Sequence, residues 1–166
     1  MADLVAFQGI HGAYSEQAIR QHFGDAVETH PCRSFSELFD VLQAGKVTYG
    51  MLPVENALAG AVSQAYELLL DHDFRIQAEV ILHVRHALLA VEGTTLEDVE
   101  RVTSHPQALA QCERYLKRYS IDPVPRYDTA GSARDLAENP QPGTAAIATQ
   151  LAAKLYNLTI LEPNIE

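Results

Sequence analysis

The sequence predicts an α/β fold, because short apolar runs alternate with segments of helical period along almost the whole chain. The 166 residues are 47% hydrophobic and 20% charged, a globular composition that allows one domain or two small lobes. Residues 75–91 form an apolar segment longer than an ordinary strand, with no turn signal inside it. We interpret this segment as a strand that passes between two sheets. One lobe then comprises residues 1–79 with 159–166, and the other comprises residues 80–158.

The first half of the chain supplies the elements of the first lobe. Strands are predicted at residues 4–7, 26–32 and 47–54, and helices at residues 15–23, 34–45 and 57–70. The helix after the second strand is marked by Ser34-Phe-Ser-Glu37, in which a serine at the N-cap precedes a glutamate by three residues. Gly45 is the predicted end of that helix.

The second half resumes the alternation after the long segment. Strands are predicted at residues 101–103, 123–127, 145–148 and 158–161, and helices at residues 106–119, 130–138 and 150–156. Strand–helix alternation favours mostly parallel sheets covered by helices. In such folds ligands bind at the carboxyl ends of the strands.

Charge and composition disfavour several classes of function. Lys and Arg total 12 and Asp and Glu total 22, which gives a net charge of −10, and no basic cluster offers a phosphate backbone a partner. No signal peptide and no apolar run of roughly 18 residues is present, so we expect a cytoplasmic protein without a membrane span. Cys32 and Cys112 lack the spacing of a disulfide framework or a metal site, and no metal, nucleotide or other cofactor is expected.

Four predicted strand-to-helix corners carry polar, uncharged side chains. The most informative is Ser104-His-Pro-Gln-Ala-Leu-Ala-Gln111, where a capping residue and a proline open a helix. A helix N-terminus can seat a carboxylate without a formal positive charge, although the same segment can be simply a well-capped helix. The other corners are Gly12-Ala-Tyr-Ser-Glu16, Pro53-Val-Glu-Asn-Ala-Leu-Ala-Gly60 and Asp128-Thr-Ala-Gly-Ser-Ala133. Together they suggest a pocket for a small acid.

These corners, in this order, resemble the catalytic domain of the prephenate dehydratases and the related arogenate dehydratases. The resemblance also covers Ala145-Ala-Ile-Ala148, followed by Leu155-Tyr156, and thus nearly the whole chain. It implies two lobes like those of type 2 periplasmic binding proteins, with the ligand cleft between the lobes. It also implies decarboxylating dehydration of prephenate to phenylpyruvate in phenylalanine biosynthesis, without a cofactor, by a homodimer.

The resemblance further implies a set of site residues. Those assigned to substrate binding are Ser15, Asn56, Ser104, His105, Gln107 and Thr129. Glu55 is the catalytic candidate, placed to orient the leaving hydroxyl or a water molecule, and the alternative is that it only stabilises its corner. His105 beside Pro106 is also well placed to cap its helix.

The sequence departs from the family pattern at several positions. Ala57 and Ala61 stand where the family usually has serine, so fewer hydroxyls are expected at the site. The Thr-Arg-Phe motif, whose threonine is most closely tied to catalysis in the family, and the phenylalanine-binding ACT domain are both missing from the 166 residues. The resemblance therefore implies an incomplete catalytic domain with little turnover. The alternatives are a cytosolic module that binds a small carboxylate without chemistry, and arogenate in place of prephenate as the substrate.

Overall fold

A computed structural model describes residues 3–166 and divides the chain into two compact units. Unit 1 comprises Met1–Ile10 and Tyr14–Leu82, and unit 2 comprises His11–Ala13 and His83–Glu166. The three residues 11–13 therefore belong to unit 2 although both of their flanks belong to unit 1. No helix within residues 3–166 has the length and apolar character of a membrane span.

Unit 1 contains a three-stranded sheet in the order β2-β1-β3, in which both outer strands run parallel to β1. The elements are β1 (Leu4–Gln8), α1 (Tyr14–Phe23), β2 (Glu28–Cys32), α2 (Phe35–Gln43) and β3 (Tyr49–Met51). Ser34 is the N-cap of α2, and its Oγ accepts a hydrogen bond from the backbone N–H of Glu37 at 3.1 Å. The predicted start of this helix is confirmed.

The core of unit 1 is built on both faces of β1, as expected for a central strand with alternating side chains. Ala6 packs in a cluster with Leu38 and Phe39 of α2. Val5 and Phe7 point to the opposite face and are also buried. This burial on both faces explains why β1 reads as a continuous apolar run.

The buried carboxylate of Glu16 fastens α1 to β2. Glu16 is 0% exposed, and its Oε1 accepts hydrogen bonds from Arg20 Nη2 at 2.8 Å and from Thr29 Oγ1 at 2.9 Å. The other terminal nitrogen of Arg20 donates to the carbonyl of Asp25 at 2.7 Å. A buried charge requires such partners, because burial otherwise strongly disfavours it.

The segment between β3 and the next helix differs from the prediction. The strand predicted at 47–54 forms only as β3, and instead of a helix from residue 57 the chain forms a hairpin of β4 (Glu55–Asn56) and β5 (Gly60–Ala61), followed by α3 (Ser63–Asp71). The Oδ1 of Asn56 accepts from the backbone N–H groups of Leu58 and Ala59 at 2.9 and 3.1 Å. A side chain that satisfies these amides stabilises a turn where the apolar pattern predicts a helix.

The prediction of one long strand at residues 75–91 is wrong. Only β6 (Ala87–Ala90) forms, and residues 73–86 have no regular secondary structure. Ile76 and Ile81 are 77% and 73% exposed, so these branched side chains are not part of a packed sheet. Branched composition favours a strand only where a neighbouring strand supplies hydrogen bonds and a packing surface.

Unit 2 contains a five-stranded sheet in the order β10-β6-β9-β7-β8. β7 runs parallel to β8 and β9, whereas β6 is antiparallel to β9 and β10. After β6 come a 3-10 turn (Leu96–Asp98), β7 (Arg101–Ser104), α4 (Pro106–Gln111), α5 (Glu113–Tyr119), β8 (Asp122–Pro125), α6 (Thr129–Glu138), β9 (Thr144–Ala148), α7 (Gln150–Leu155) and β10 (Thr159–Glu162). The predicted α/β class with mostly parallel strands is confirmed.

Two details of unit 2 differ from the sequence interpretation. The segment 106–119 is two helices separated at Cys112, not one. Residues 159–166, assigned by the interpretation to the first lobe, lie in unit 2, where Ile160 of β10 pairs with Leu89 of β6. Antiparallel pairing with the buried β6 gives this last strand hydrogen-bond partners that its sequence does not indicate.

Helices cover both faces of this sheet. Leu109 of α4 and Leu116 of α5 pack with Ile147 on one face. Leu136 of α6 and Ala152 of α7 pack in a separate cluster with other residues of the same strands. Unit 2 is therefore a three-layer arrangement, in which β6 and β9 are buried along their whole length.

Candidate functional site

The carboxyl ends of β7, β8 and β9 lie at one edge of the unit 2 sheet, because these strands are parallel. We define the carboxyl edge as residues 104–107, 125–129 and 148–150, where α4, α6 and α7 begin. From β7 the chain continues to β8 on one side, and from β8 it returns to β9 on the other. The connections thus diverge between β7 and β9, the position at which ligands commonly bind in α/β sheets.

Ser104, the last residue of β7, is fully buried within the chain. Its Oγ donates a hydrogen bond of 2.7 Å to the carbonyl of Ile147 in β9, and Ser104 is 0% exposed. Its own carbonyl accepts from the backbone N–H of Arg126 at 2.8 Å. Ser104 therefore ties β7 to β9 and to the end of β8.

His105 and Gln107 open helix α4. His105 is the N-cap, and its Nδ1 accepts a hydrogen bond from the backbone N–H of Gln107 at 3.2 Å, with Pro106 at the first helical position. His105 is exposed and Gln107 is half-buried. The capping geometry predicted for this corner is present, with the imidazole in the capping position.

Asp128 occupies the start of helix α6, directly before Thr129. Its Oδ1 accepts a short hydrogen bond from the backbone N–H of Gly131, and its carbonyl accepts from Ser132 Oγ at 2.8 Å. A Cβ on Gly131 would lie 2.9 Å from the Asp128 carboxylate, so glycine permits this close approach. The positive end of α6, which the sequence suggests as a carboxylate seat, thus already faces a carboxylate of the chain itself.

Replacing Asp128 with alanine is expected to destabilise the protein by about 1 kcal/mol, because α6 would lose its N-cap. Asp128→Asn keeps an oxygen acceptor and should recover most of this loss. Urea unfolding followed by circular dichroism measures both effects. A loss in the asparagine variant as large as that in the alanine variant would contradict a capping role.

Thr149 is a corner residue that the sequence prediction misses. It follows β9, is 0% exposed, and accepts from the backbone N–H of Ala152 at 2.9 Å as the N-cap of α7. Its hydroxyl donates to the carbonyl of Gly12 at 2.7 Å. The signal that could have identified it is a threonine placed between an apolar strand and a helix-forming run.

The remaining predicted site residues lie in unit 1. Ser15 is the second residue of α1 and is half-buried. Glu55 is exposed and Asn56 is half-buried in β4, and the Asn56 carbonyl oxygen holds the hairpin turn. Unit 2 thus brings Ser104, His105, Gln107 and Thr129 to one edge, and the other three belong to two elements of unit 1.

The cysteines and the acidic residues do not form a metal site. Among residues 3–166, no group of three or more His, Cys, Asp and Glu side chains is arranged to hold a metal ion. Burial raises the pKa of Cys112 to about 12, with a further contribution from the Glu166 carboxylate. Burial also raises the pKa of Cys32, with Glu37 adding to the effect. Neither thiol is thereby activated as a nucleophile.

Residues 5–166 match the family model for prephenate dehydratase. The chain is 43% identical to arogenate dehydratase/prephenate dehydratase 2 of Arabidopsis thaliana, over 98% of this chain and 42% of the relative. A solved structure titled as a novel type of quorum quenching acylase, GqqA, has a TM-score of 0.92 at 38% identity, over 98% of this chain and 59% of that one.

A prephenate dehydratase of Arthrobacter aurescens, solved in complex with L-Phe, has a TM-score of 0.88 at 30% identity. That match covers 98% of this chain and 55% of the solved chain. The chain thus spans between 42% and 59% of the length of these relatives. The family resemblance seen in the strand-to-helix corners is confirmed over almost every residue, and the chain belongs to the prephenate dehydratase family.

Proposed function

We propose that this chain provides the substrate-binding part of a protein that carries out decarboxylating dehydration of prephenate to phenylpyruvate in phenylalanine biosynthesis. The observation that carries the proposal is the match of residues 5–166 to the prephenate dehydratase family. The polar, largely uncharged corners of the carboxyl edge support it, because the reaction needs hydrogen-bond donors and no redox or metal chemistry. Such a protein is a carbon–oxygen lyase.

The chemistry sets what the site must supply. The electron pair of the breaking bond to the ring carboxylate passes through the ring and expels the 4-hydroxyl, which leaves as water after gaining a proton. Carbon dioxide and an aromatic ring result. Help from a general acid in such a step is typically worth about 10²–10⁴-fold, and fixed dipoles add further stabilisation of the developing charge.

We assign substrate contacts to side chains in preference to helix N-termini, since Asp128 and His105 already accept the backbone N–H groups of Gly131 and Gln107. Gln107 and Thr129 of the carboxyl edge are the unit 2 contacts. His105 contributes its exposed imidazole, and the exposed Arg126, next to the same corner, adds a positive charge.

In this proposal Ser104 does not contact the substrate directly but positions the ends of β7 and β9, because its buried hydroxyl donates to the carbonyl of Ile147. In unit 1, Ser15 and Asn56 are the proposed contacts. Glu55 is the proposed group that orients the hydroxyl or a water molecule, and its exposure leaves it accessible to a ligand.

The first alternative is a module that binds a small carboxylate without chemistry. Ala57 and Ala61 favour it, because the hydroxyls usual in the family are absent at these positions. The second alternative is arogenate, which carries an ammonium group where prephenate carries a keto group, and the Arabidopsis relative is named for both substrates. Cysteine-dependent amide hydrolysis is disfavoured, since the pKa of each thiol is raised.

Phenylpyruvate formation, measured by its absorbance in alkali, tests the proposal. We expect the 166-residue chain to bind prephenate with little turnover, and a chain continued through a Thr-Arg-Phe segment to turn it over. Calorimetry with prephenate and with arogenate distinguishes the two substrates. Binding without turnover in both chains would support the carboxylate-binding module, and equal, substantial turnover in both would contradict the role given to the Thr-Arg-Phe segment.

We also propose that the protein is a cytoplasmic homodimer without nucleic-acid or membrane partners. The net charge of −10 supports the exclusion of nucleic acid. Exposed apolar side chains in unit 1 support association, with Leu58, Leu70 and Ile76 at 77%, 87% and 77% exposure. Light scattering after size exclusion tests the dimer, which a monomeric mass across micromolar concentrations would contradict.

A further inference from the structure

The carboxyl edge of unit 2 carries one basic residue with a permanent charge. Among the residues of this edge, Arg126 is the single Lys or Arg and Asp128 is the single Asp or Glu. Arg126 directly follows β8, and its backbone N–H donates to the carbonyl of Ser104, the last residue of β7, at 2.8 Å. This hydrogen bond fixes the backbone of Arg126 beside the corner that continues with His105, and Thr129 is three residues further along the chain.

The guanidinium of Arg126 is available to a ligand of unit 2. The residue is exposed, and its side chain forms no ion pair with any of residues 3–166. Other basic residues of the same unit lie 2.7–3.7 Å from a carboxylate oxygen, namely Arg85, Arg101, Lys117 and Arg134. An arginine stays charged at any ordinary pH, and its planar fork of N–H groups matches the two oxygens of a carboxylate.

The single acidic residue of the edge is directed into its own helix. Asp128 is half-buried, and its Oδ1 accepts the backbone N–H of Gly131 in the first turn of α6. The positive end of α6 therefore stabilises this carboxylate. Among the described residues no ion pair joins Asp128 to Arg126. Arg126 thus remains the exposed, permanently charged group at this end of the sheet.

We propose that Arg126 is a specificity-determining residue that favours a ligand with two carboxylates and no ammonium group. The inference rests on the proposed function and names the substrate class of the same site. Prephenate carries two negative charges, whereas arogenate has the same two carboxylates and an ammonium group beside one of them. Arg126 attracts that carboxylate in both molecules, but in arogenate it also repels the adjacent ammonium, which offsets most of the attraction. The edge therefore discriminates by charge between two ligands of nearly the same shape.

Calorimetry with prephenate and with arogenate at low ionic strength tests this preference. Arg126→Gln should weaken the binding of prephenate about fivefold and change that of arogenate less than about twofold. Arg126→Lys keeps the charge and should retain most of the preference. The matched control is Arg114→Gln, since Arg114 is an exposed arginine of α5 that forms no ion pair among the described residues. It changes the net charge equally and should leave both affinities unchanged.

Salt distinguishes an electrostatic role of Arg126 from a structural one. Raising the ionic strength from about 0.02 M to about 0.5 M should reduce the difference between the wild type and Arg126→Gln to about twofold, because salt screens exposed charges. A difference that salt does not change, equal losses for both ligands, or the same losses in Arg114→Gln would overturn the inference and leave the proposed function standing. Failure of the wild-type chain to bind either ligand would overturn the proposed function and this inference with it.

Discussion

Replacing Glu16 with alanine is expected to lower the free energy of unfolding by about 3 kcal/mol, because the change strands the partners of a buried carboxylate. Arg20 is 23% exposed at its side chain, so water compensates its lost partner only in part. Thr29 loses the acceptor of its hydroxyl as well. Glu16 thus provides a buried hydrogen-bonded link between α1 and β2.

Two further variants distinguish the buried carboxylate of Glu16 from an exposed ion pair. Glu16→Gln keeps an oxygen acceptor of the same size and should lose about half as much. Glu113 forms an ion pair with Lys117 at the same i, i+4 spacing and at 2.7 Å, but both side chains are mostly exposed. Glu113→Ala should therefore lose only about 0.3–0.5 kcal/mol. Urea unfolding measures all three variants, and similar losses for Glu16→Ala and Glu113→Ala would contradict the buried role of Glu16.

Stability should also fall steeply in alkali, because the fold holds a buried thiol and a half-buried phenol in their protonated forms. Burial and the Glu166 carboxylate raise the pKa of Cys112 from 9.0 to about 12. Burial, then Glu162, raises the pKa of Tyr115 from 10.0 to about 12. Above pH 9 the unfolded chain releases these protons before the native chain does, so unfolding becomes easier as the pH rises.

The size of the effect is the change in the free energy of unfolding per pH unit. Each group lowers the free energy of unfolding by up to about 1.4 kcal/mol per pH unit, between its ordinary pKa and its raised pKa. Cys112→Ala and Tyr115→Phe should each flatten the decline, and Tyr66→Phe, at a 45% exposed tyrosine, should not. Urea midpoints between pH 8 and pH 11 measure the slopes. Parallel declines in the wild type, in Cys112→Ala and in Tyr115→Phe would refute this assignment.

Sequence patterns predicted the elements whose signals are local. Ser34 caps α2 as its spacing to Glu37 indicates, because the capping bond joins residues three apart. The corner at His105 and Pro106 also formed as predicted, since proline at the first helical position is favoured by its own geometry. The family resemblance rests on the same corners, which is why it could be seen without a structure.

Features that depend on distant partners could not be predicted in this way. The apolar, branched segment before β6 reads as a strand, yet residues 73–86 form no sheet. Asn56 is a different case, because its carbonyl oxygen accepts from residues only two and three positions away, and its residue type alone does not distinguish a turn from a ligand contact. The sequence predicts Ser104 as a substrate contact, and only the folded sheet shows that its hydroxyl donates to the carbonyl of Ile147, 43 residues away.

The hydrogen bond between the Thr149 hydroxyl and the Gly12 carbonyl has a consequence for folding during synthesis on the ribosome. Gly12 is made before Thr149, which follows it by 137 residues. At roughly 5–20 residues per second, Thr149 is added to the chain on the order of ten seconds after Gly12. Unit 2 therefore includes a short piece of chain that is synthesised before the rest of the unit, and residues 11–13 reach their final contacts only after residue 149 has been made.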